Sequence, residues 1–204
     1  MKRVISAVLF STALLATGAS LAQAVVGQTA PAFSAIDTAG RTVSLADFKG
    51  KFVVLEWMNP DCPFTQKHYK SGNMPATQRD AKAKGAVWLA VNTASKDTGD
   101  YRPPAELQTW MKAQNASETA VLMDSDSKIA RAYAARTTPH MYIVDPQGRL
   151  IYAGAIDSKP TANPADVQTA TNYVRQALGE ALSGKPVSQS TTRAYGCAVK
   201  YSAG

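Results

Sequence analysis

Cysteine and histidine are scarce in this chain, and their scarcity excludes a good deal of chemistry. The 204 residues hold two cysteines, Cys62 and Cys197, and two histidines, His68 and His140. The cysteines lie 135 positions apart (197 − 62), which rules out a local CxxC dithiol and a metal knuckle. Without a Cys/His cluster a zinc site is not expected, and no cofactor other than cysteine sulfur is implied. No basic run is interleaved with aromatic residues, so the formal net charge of +7 does not indicate a nucleic-acid partner. No apolar stretch with charged flanks approaches the roughly 20 residues of a membrane span.

What is present begins with a three-part leader, MKRVISAVLFSTALLATGASLAQA. Lys2 and Arg3 form a charged start, Val4 to Leu15 an apolar centre, and Ala22-Gln23-Ala24 a small-residue cleavage site. The expectation is a signal peptide over 1–24 with a cut after Ala24. A periplasmic or secreted protein would result, with no stable membrane insertion after cleavage. The remaining 180 residues (204 − 24) suit one domain that buries roughly 70% of its unfolded surface. That domain is expected over 25–182, followed by a polar C-terminal tail, 183–204, that carries Cys197.

Along the mature chain, 33–37 and 41–44 flank a turn at Gly40 and predict an N-terminal β-hairpin. Apolar strands are expected over 52–58, 86–93, 119–123, 140–144 and 149–153. Helices are expected after Cys62 (two in succession, interrupted at Gly72 and Pro75), from Pro103-Pro104 to about Gln114, over 127–135, and from 163–164 to about Leu182. This alternation predicts an α/β fold with a mostly parallel central sheet, an antiparallel edge and helices on both faces.

The segment FVVLEWMNPDCPFTQKHY, residues 52–69, places Cys62 where a buried strand breaks and a helix opens. Helix-start N–H groups and the dipole favour a thiolate, whose pKa can fall from about 8.5 to between 3.5 and 7.5. The alternative is a small buried hydrophobe; the flanking Pro60 and Pro63 favour the reactive cysteine. In an exporting compartment two cysteines pair or remain separate thiols, and pairing is the favoured expectation.

Three stretches resemble the thioredoxin-fold redoxins, in particular the peroxiredoxin-like branch of alkyl hydroperoxide reductases and thiol-specific antioxidants. They are the NPDCPFT junction, the run VLMDSDSKIARAYAARTTPHMYIVDPQGRLIYAG (121–154), and the entry FSAIDTAGRTVSLADFKGKFVVLEW. The resemblance implies a thioredoxin-like fold and a thiol-dependent oxidoreductase with Cys62 as the attacking cysteine. Pro63 stands where a proline follows the peroxidatic cysteine. Asn59 replaces the threonine that family carries three residues earlier, and Pro139 stands where it carries an arginine. Thr138-Pro139 resembles the thioredoxin cis-proline loop, which helps to bind substrate backbone, and Thr65 takes the place of the second CxxC cysteine.

The substrate implied is a small hydroperoxide or a protein disulfide, with an unidentified thiol reductant as partner. Cys197 is the candidate resolving thiol, or else half of a structural disulfide that pins the tail. A non-catalytic binding protein with such a disulfide is the reading outside the enzymes. Glu56, six residues before Cys62, occupies the place of a buried acid that moves protons, or else it faces solvent. Thr65, one helical turn from the sulfur, is placed to donate a hydrogen bond to the thiolate. Asn59, Pro63, Thr138 and Pro139 complete the expected substrate surface. Lys67 and His68 are expected on a solvated helix face, and His140 in a structural role.

Overall fold

A computed structural model describes residues 23–203; the expected signal peptide lies outside them apart from its last two residues. The hairpin forms as expected, β1 (Ser34–Asp37) pairing antiparallel with β2 (Thr42–Ser44). Gly40 supplies a φ of 79° at its turn, and the Asp37 carboxylate accepts the Ala39 and Arg41 amides. Strand β3 (Val53–Trp57) leads into α1 (Pro63–Lys70) and α2 (Asn73–Ala83), and these return the chain to β4 (Val87–Asn92). Helix α3 (Pro104–Ala113) connects to β5 (Ala120–Met123), and α4 (Lys128–Tyr133) follows. A two-residue strand β6 (Thr137–Thr138) then precedes β7 (His140–Val144) and β8 (Leu150–Gly154). Helix α5 (Tyr173–Leu182) and a short β9 (Cys197–Ala198) end the described chain.

Seven strands form one sheet in the order β2-β1-β5-β4-β3-β7-β8. Only β3, β4 and β5 run parallel; β1 joins β5, and β7 joins β3, in antiparallel register. The sheet is therefore mixed, with antiparallel strands at both ends, where the sequence predicts a mostly parallel sheet with one such edge. At one end β7 pairs antiparallel with β3 along its full length and carries β8 beside it, and at the other the β1–β2 hairpin joins β5 in the same sense.

Alternate residues of β3 enter two cores. Val53, Leu55 and Trp57 face α4 and the N-terminal segment, while Val54 and Met58 face α2, α3 and α5. With both faces covered, all five β3 residues, and all of β4 and β7, are buried. The expected last helix is broken. Residues 164–169 form a 3-10 turn, and Asn172 caps a separate α5 by accepting from the Arg175 amide. In the first helical region the break falls at Gly72 (φ 74°), and Pro75 sits inside the first turn of α2, where no N–H is needed. The tail is no loose strap: the Ala153 amide donates to Ser190 O (3.0 Å) and the Thr192 amide to Ala153 O (3.2 Å), laying residues 190–192 along β8.

Candidate active site

Cys62 is the N-cap residue of α1, with Pro63 as the first helical residue. The turn that presents it is built by Asn59, whose side chain accepts the Asp61 amide (2.9 Å) and whose carbonyl accepts the Cys62 amide (3.1 Å). Arg102, from the polar loop after β4, pairs with Asp61 (2.6 Å), and Asn59 Nδ2 donates to Asp100 (3.3 Å). The loop is thereby tied across the turn.

Opposite Cys62 lies the Thr138-Pro139 peptide, which is cis. The Cys62 thiol donates to the Thr138 carbonyl at 2.9 Å. Thr138 is also the antiparallel register partner of Cys197, since β6 and β9 form a two-stranded sheet of their own. The two cysteines are thus brought to one residue, both as free thiols. Gly196 makes the approach feasible, because a Cβ there would lie 2.0 Å from the Thr138 carbonyl oxygen.

The two thiols differ sharply. Burial opposes ionisation of Cys62, but the Cys197 thiol and the amides of Thr65 and Cys197 outweigh it and hold its pKa below the ordinary thiol value. Burial, together with the bond to Cys62 and its charge, pushes Cys197 up to about 12. Of the two thiols, Cys62 is the more readily ionised. Thr65 and Thr138 each carry a buried hydroxyl with no hydrogen-bond partner among the described residues.

Glu56 points into the α2–α3–α5 core and is fully buried. It accepts Trp88 Nε1 (2.7 Å), Tyr69 OH (2.9 Å) and Gln78 Nε2 (3.2 Å), and none of these groups bonds to Cys62. Burial raises its pKa to about 7 in spite of those donors. Its partners lie on α1, α2 and β4, so Glu56 fastens the helix that carries Cys62 to the sheet.

Lys67 and His68 correct the expectation of a solvated face: both are buried. Lys67 Nζ pairs with Asp157 (3.1 Å), donates to Lys159 O (2.6 Å) and reaches Tyr195 OH (3.3 Å). Tyr195 OH donates to Asp157 Oδ1, which leaves its oxygen to accept from His68 Nε2 (3.0 Å). His68 Nδ1 then accepts from Asn73 Nδ2 (2.9 Å), as a neutral ring does. Burial lowers the pKa of His68 to about 4. The Tyr195 ring also meets Phe64 edge-on at 5.8 Å. Sequence spacing alone could not reveal this cluster, because Asp157 and Tyr195 come from distant loops. His140 is structural as expected: its Nδ1 accepts the Arg136 amide (3.2 Å), and burial lowers its pKa to about 4.

A mixed sheet flanked by helices, with a helix-capping cysteine facing a cis-proline loop, defines a thioredoxin-like redoxin. The chain belongs to the AhpC/TSA family, whose pattern matches residues 26–153. It is 26% identical over 125 residues to the thiol-disulfide oxidoreductase ResA of Bacillus subtilis, a match that covers 61% of this chain and 64% of that protein. A hypothetical protein from Sinorhizobium meliloti superposes with a TM-score of 0.74 at 24% identity, covering 88% of this chain and 96% of its own. The thioredoxin domain of a thiol-disulfide oxidoreductase from Bacteroides vulgatus shares the fold at a TM-score of 0.52 and 24% identity, over 71% of this chain and 96% of that domain. Among the described residues no helix is long and apolar enough to cross a membrane.

Proposed function

We propose that the protein is a thiol–disulfide oxidoreductase in which Cys62 attacks and Cys197 resolves. The observation that carries this reading is the meeting of both cysteines at Thr138, one as hydrogen-bond donor and one as strand partner. The Cys62 thiolate attacks a substrate disulfide, forms a mixed disulfide and releases one substrate thiolate, which takes a proton from solvent. Cys197 then loses its proton and displaces the second substrate thiolate, closing a Cys62–Cys197 disulfide. The substrate leaves as a dithiol, the protein is oxidised by two electrons, and an external thiol reductant restores it.

The cis-Thr138-Pro139 loop and Asn59 line the approach to the sulfur, Pro63 starts the helix beneath it, and Thr65 and Thr138 stabilise its charge. Glu56 holds α1 in place and acts on the sulfur only through that helix. The likeness to the thiol-disulfide oxidoreductase of Bacillus subtilis supports a disulfide over a hydroperoxide as substrate. So does the site itself, where no arginine hydrogen-bonds to Cys62 among the described residues. An exported location accords with the N-terminal leader and suits disulfide chemistry.

The test is a substrate-trapping pair. Cys197→Ser should accumulate a Cys62 mixed disulfide with a reduced–denatured and reoxidised model protein, and Cys62→Ser should form none. Faster reaction with hydrogen peroxide than with a protein disulfide would restore the peroxidase reading. Absence of reaction above that of free cysteine with either would leave a structural disulfide.

A further inference from the structure

We infer that Tyr195 is a positioning residue whose hydroxyl latches residues 193–198 over Cys62, so that one segment both shields the nucleophile and delivers the resolving thiol. The inference rests on the Cys62–Cys197 reading above and adds to it what holds and releases the tail.

Cys62 is 2% exposed, although attack on a disulfide requires open access to its sulfur. The strand that carries Cys197 pairs with Thr138, the residue to which the Cys62 thiol donates. That strand lies between two firm attachments. Before it, the Thr192 hydroxyl accepts the Ala155 amide (2.9 Å) beside the β8 contacts already described. After it, the Val199 amide donates to Arg136 O (3.0 Å) and Tyr201 OH to Ala135 O (2.6 Å). Between these posts, β9 contributes a ladder of two residues, and the side chain that reaches a buried polar cluster is Tyr195, through Asp157, Lys67 and His68. Hydrogen bonds to buried charged groups are the strong ones. Residues 193–198 therefore form a flap anchored at both ends and latched in the middle.

The flap must be open for the first exchange and closed for the second. With the flap down, β9 occupies the edge of Thr137–Thr138 that an extended substrate would use. A bound substrate moiety competes with the flap for that edge, so closure of the mixed disulfide scales with the docking equilibrium. Weakening the latch should accelerate the first step and retard the second.

Two variants probe this. Tyr195→Phe keeps the ring against Phe64 and removes the hydroxyl. Gly196→Ala leaves Tyr195 in place and drives a methyl into the Thr138 carbonyl. In a Cys197→Ser background, iodoacetamide alkylation of Cys62 (thiolate displacing iodide) should be about tenfold faster in either variant, because reactivity follows the open population. With Cys197 intact, glutathione disulfide should yield a Cys62–glutathione adduct and one free glutathione. Cys197 then displaces the second glutathione. Acid-quenched mass spectrometry should show that second step about tenfold slower in the variants. Alkylation and closure unchanged in both variants, or both steps moving in the same direction, would overturn the latch. If Cys197→Ser fails to accumulate the glutathione adduct, the redox pair itself fails; if it accumulates the adduct while Tyr195→Phe closes at the wild-type rate, only the latch fails.

Discussion

The slope of stability against pH between 5 and 6 is a sharp test of the buried titratable groups. His68 and His140 are buried neutral, with folded pKa values of about 4 against an ordinary 6.5. Between those limits only the unfolded chain binds their protons, so their contribution is fully present above pH 6.5 and is lost as pH falls. Glu56 works in the opposite sense. Its folded pKa of about 7 exceeds the ordinary 4.5, so the folded chain holds its proton through the window and this contribution is lost as pH rises. Near pH 5.5 each histidine adds close to one proton to the unfolded side, and Glu56 adds close to one to the folded side. The net of about one proton predicts that stability drops by about 1 kcal/mol per pH unit on acidification. Urea unfolding of the reduced protein at pH 5.0, 5.5 and 6.0, monitored by tryptophan fluorescence, measures it. His68→Gln should flatten the slope to near zero, and Glu56→Gln should steepen it to about 2 kcal/mol per unit, whatever either variant does to absolute stability. Equal slopes in all three proteins would refute the assignment of neutral histidines and a protonated Glu56 to the folded state.

Two further substitutions address single contacts. Thr65→Val preserves shape and removes a buried hydroxyl that has no partner beside the uncharged sulfur; the pH midpoint of Cys62 alkylation should rise by roughly 0.5–1 unit for a hydrogen bond worth about 1 kcal/mol, and an unchanged midpoint would mean the hydroxyl does not serve the thiolate. Asp124 accepts Thr93 OH (2.7 Å) and the amides of Ile129 (3.0 Å) and Ala130 (2.9 Å), thereby tying β4 and β5 to the start of α4. Asp124→Ala should cost about 2–4 kcal/mol in denaturant unfolding, with Asp124→Asn recovering part of it.

Much of this architecture could be read from residue patterns. Strands buried on both faces appear as continuous apolar runs, and β3, β4 and β7 fall within a residue of the expected 52–58, 86–93 and 140–144. Cys62 between two prolines marked a strand-to-helix junction, and Thr138-Pro139 marked the loop that faces it. Burial of both faces also hid something, because alternation cannot tell which core receives Glu56. Strand direction was hidden for a similar reason: β7 would look the same whether parallel or antiparallel to β3. The polar character of Lys67 and His68 pointed toward solvent, and only Asp157 and Tyr195, contributed from positions 90 and 128 beyond Lys67, bring them indoors. The break before α5 depends on Asn172 acting as a cap inside an apolar period that would otherwise carry a helix through it.

The placement of Cys197 on a strand has a consequence for how such a protein can diversify. Two cysteines within one helical turn share a single backbone, and any change to one disturbs the other. Here the second sulfur is set by a two-residue ladder against Thr138 and by the side chains on either side of it. Exchanging a few residues around Cys197 would therefore retune the spacing and acidity of the pair while the sheet, the helix and Cys62 stay as they are. Cys62 and Cys197 are separately variable parts.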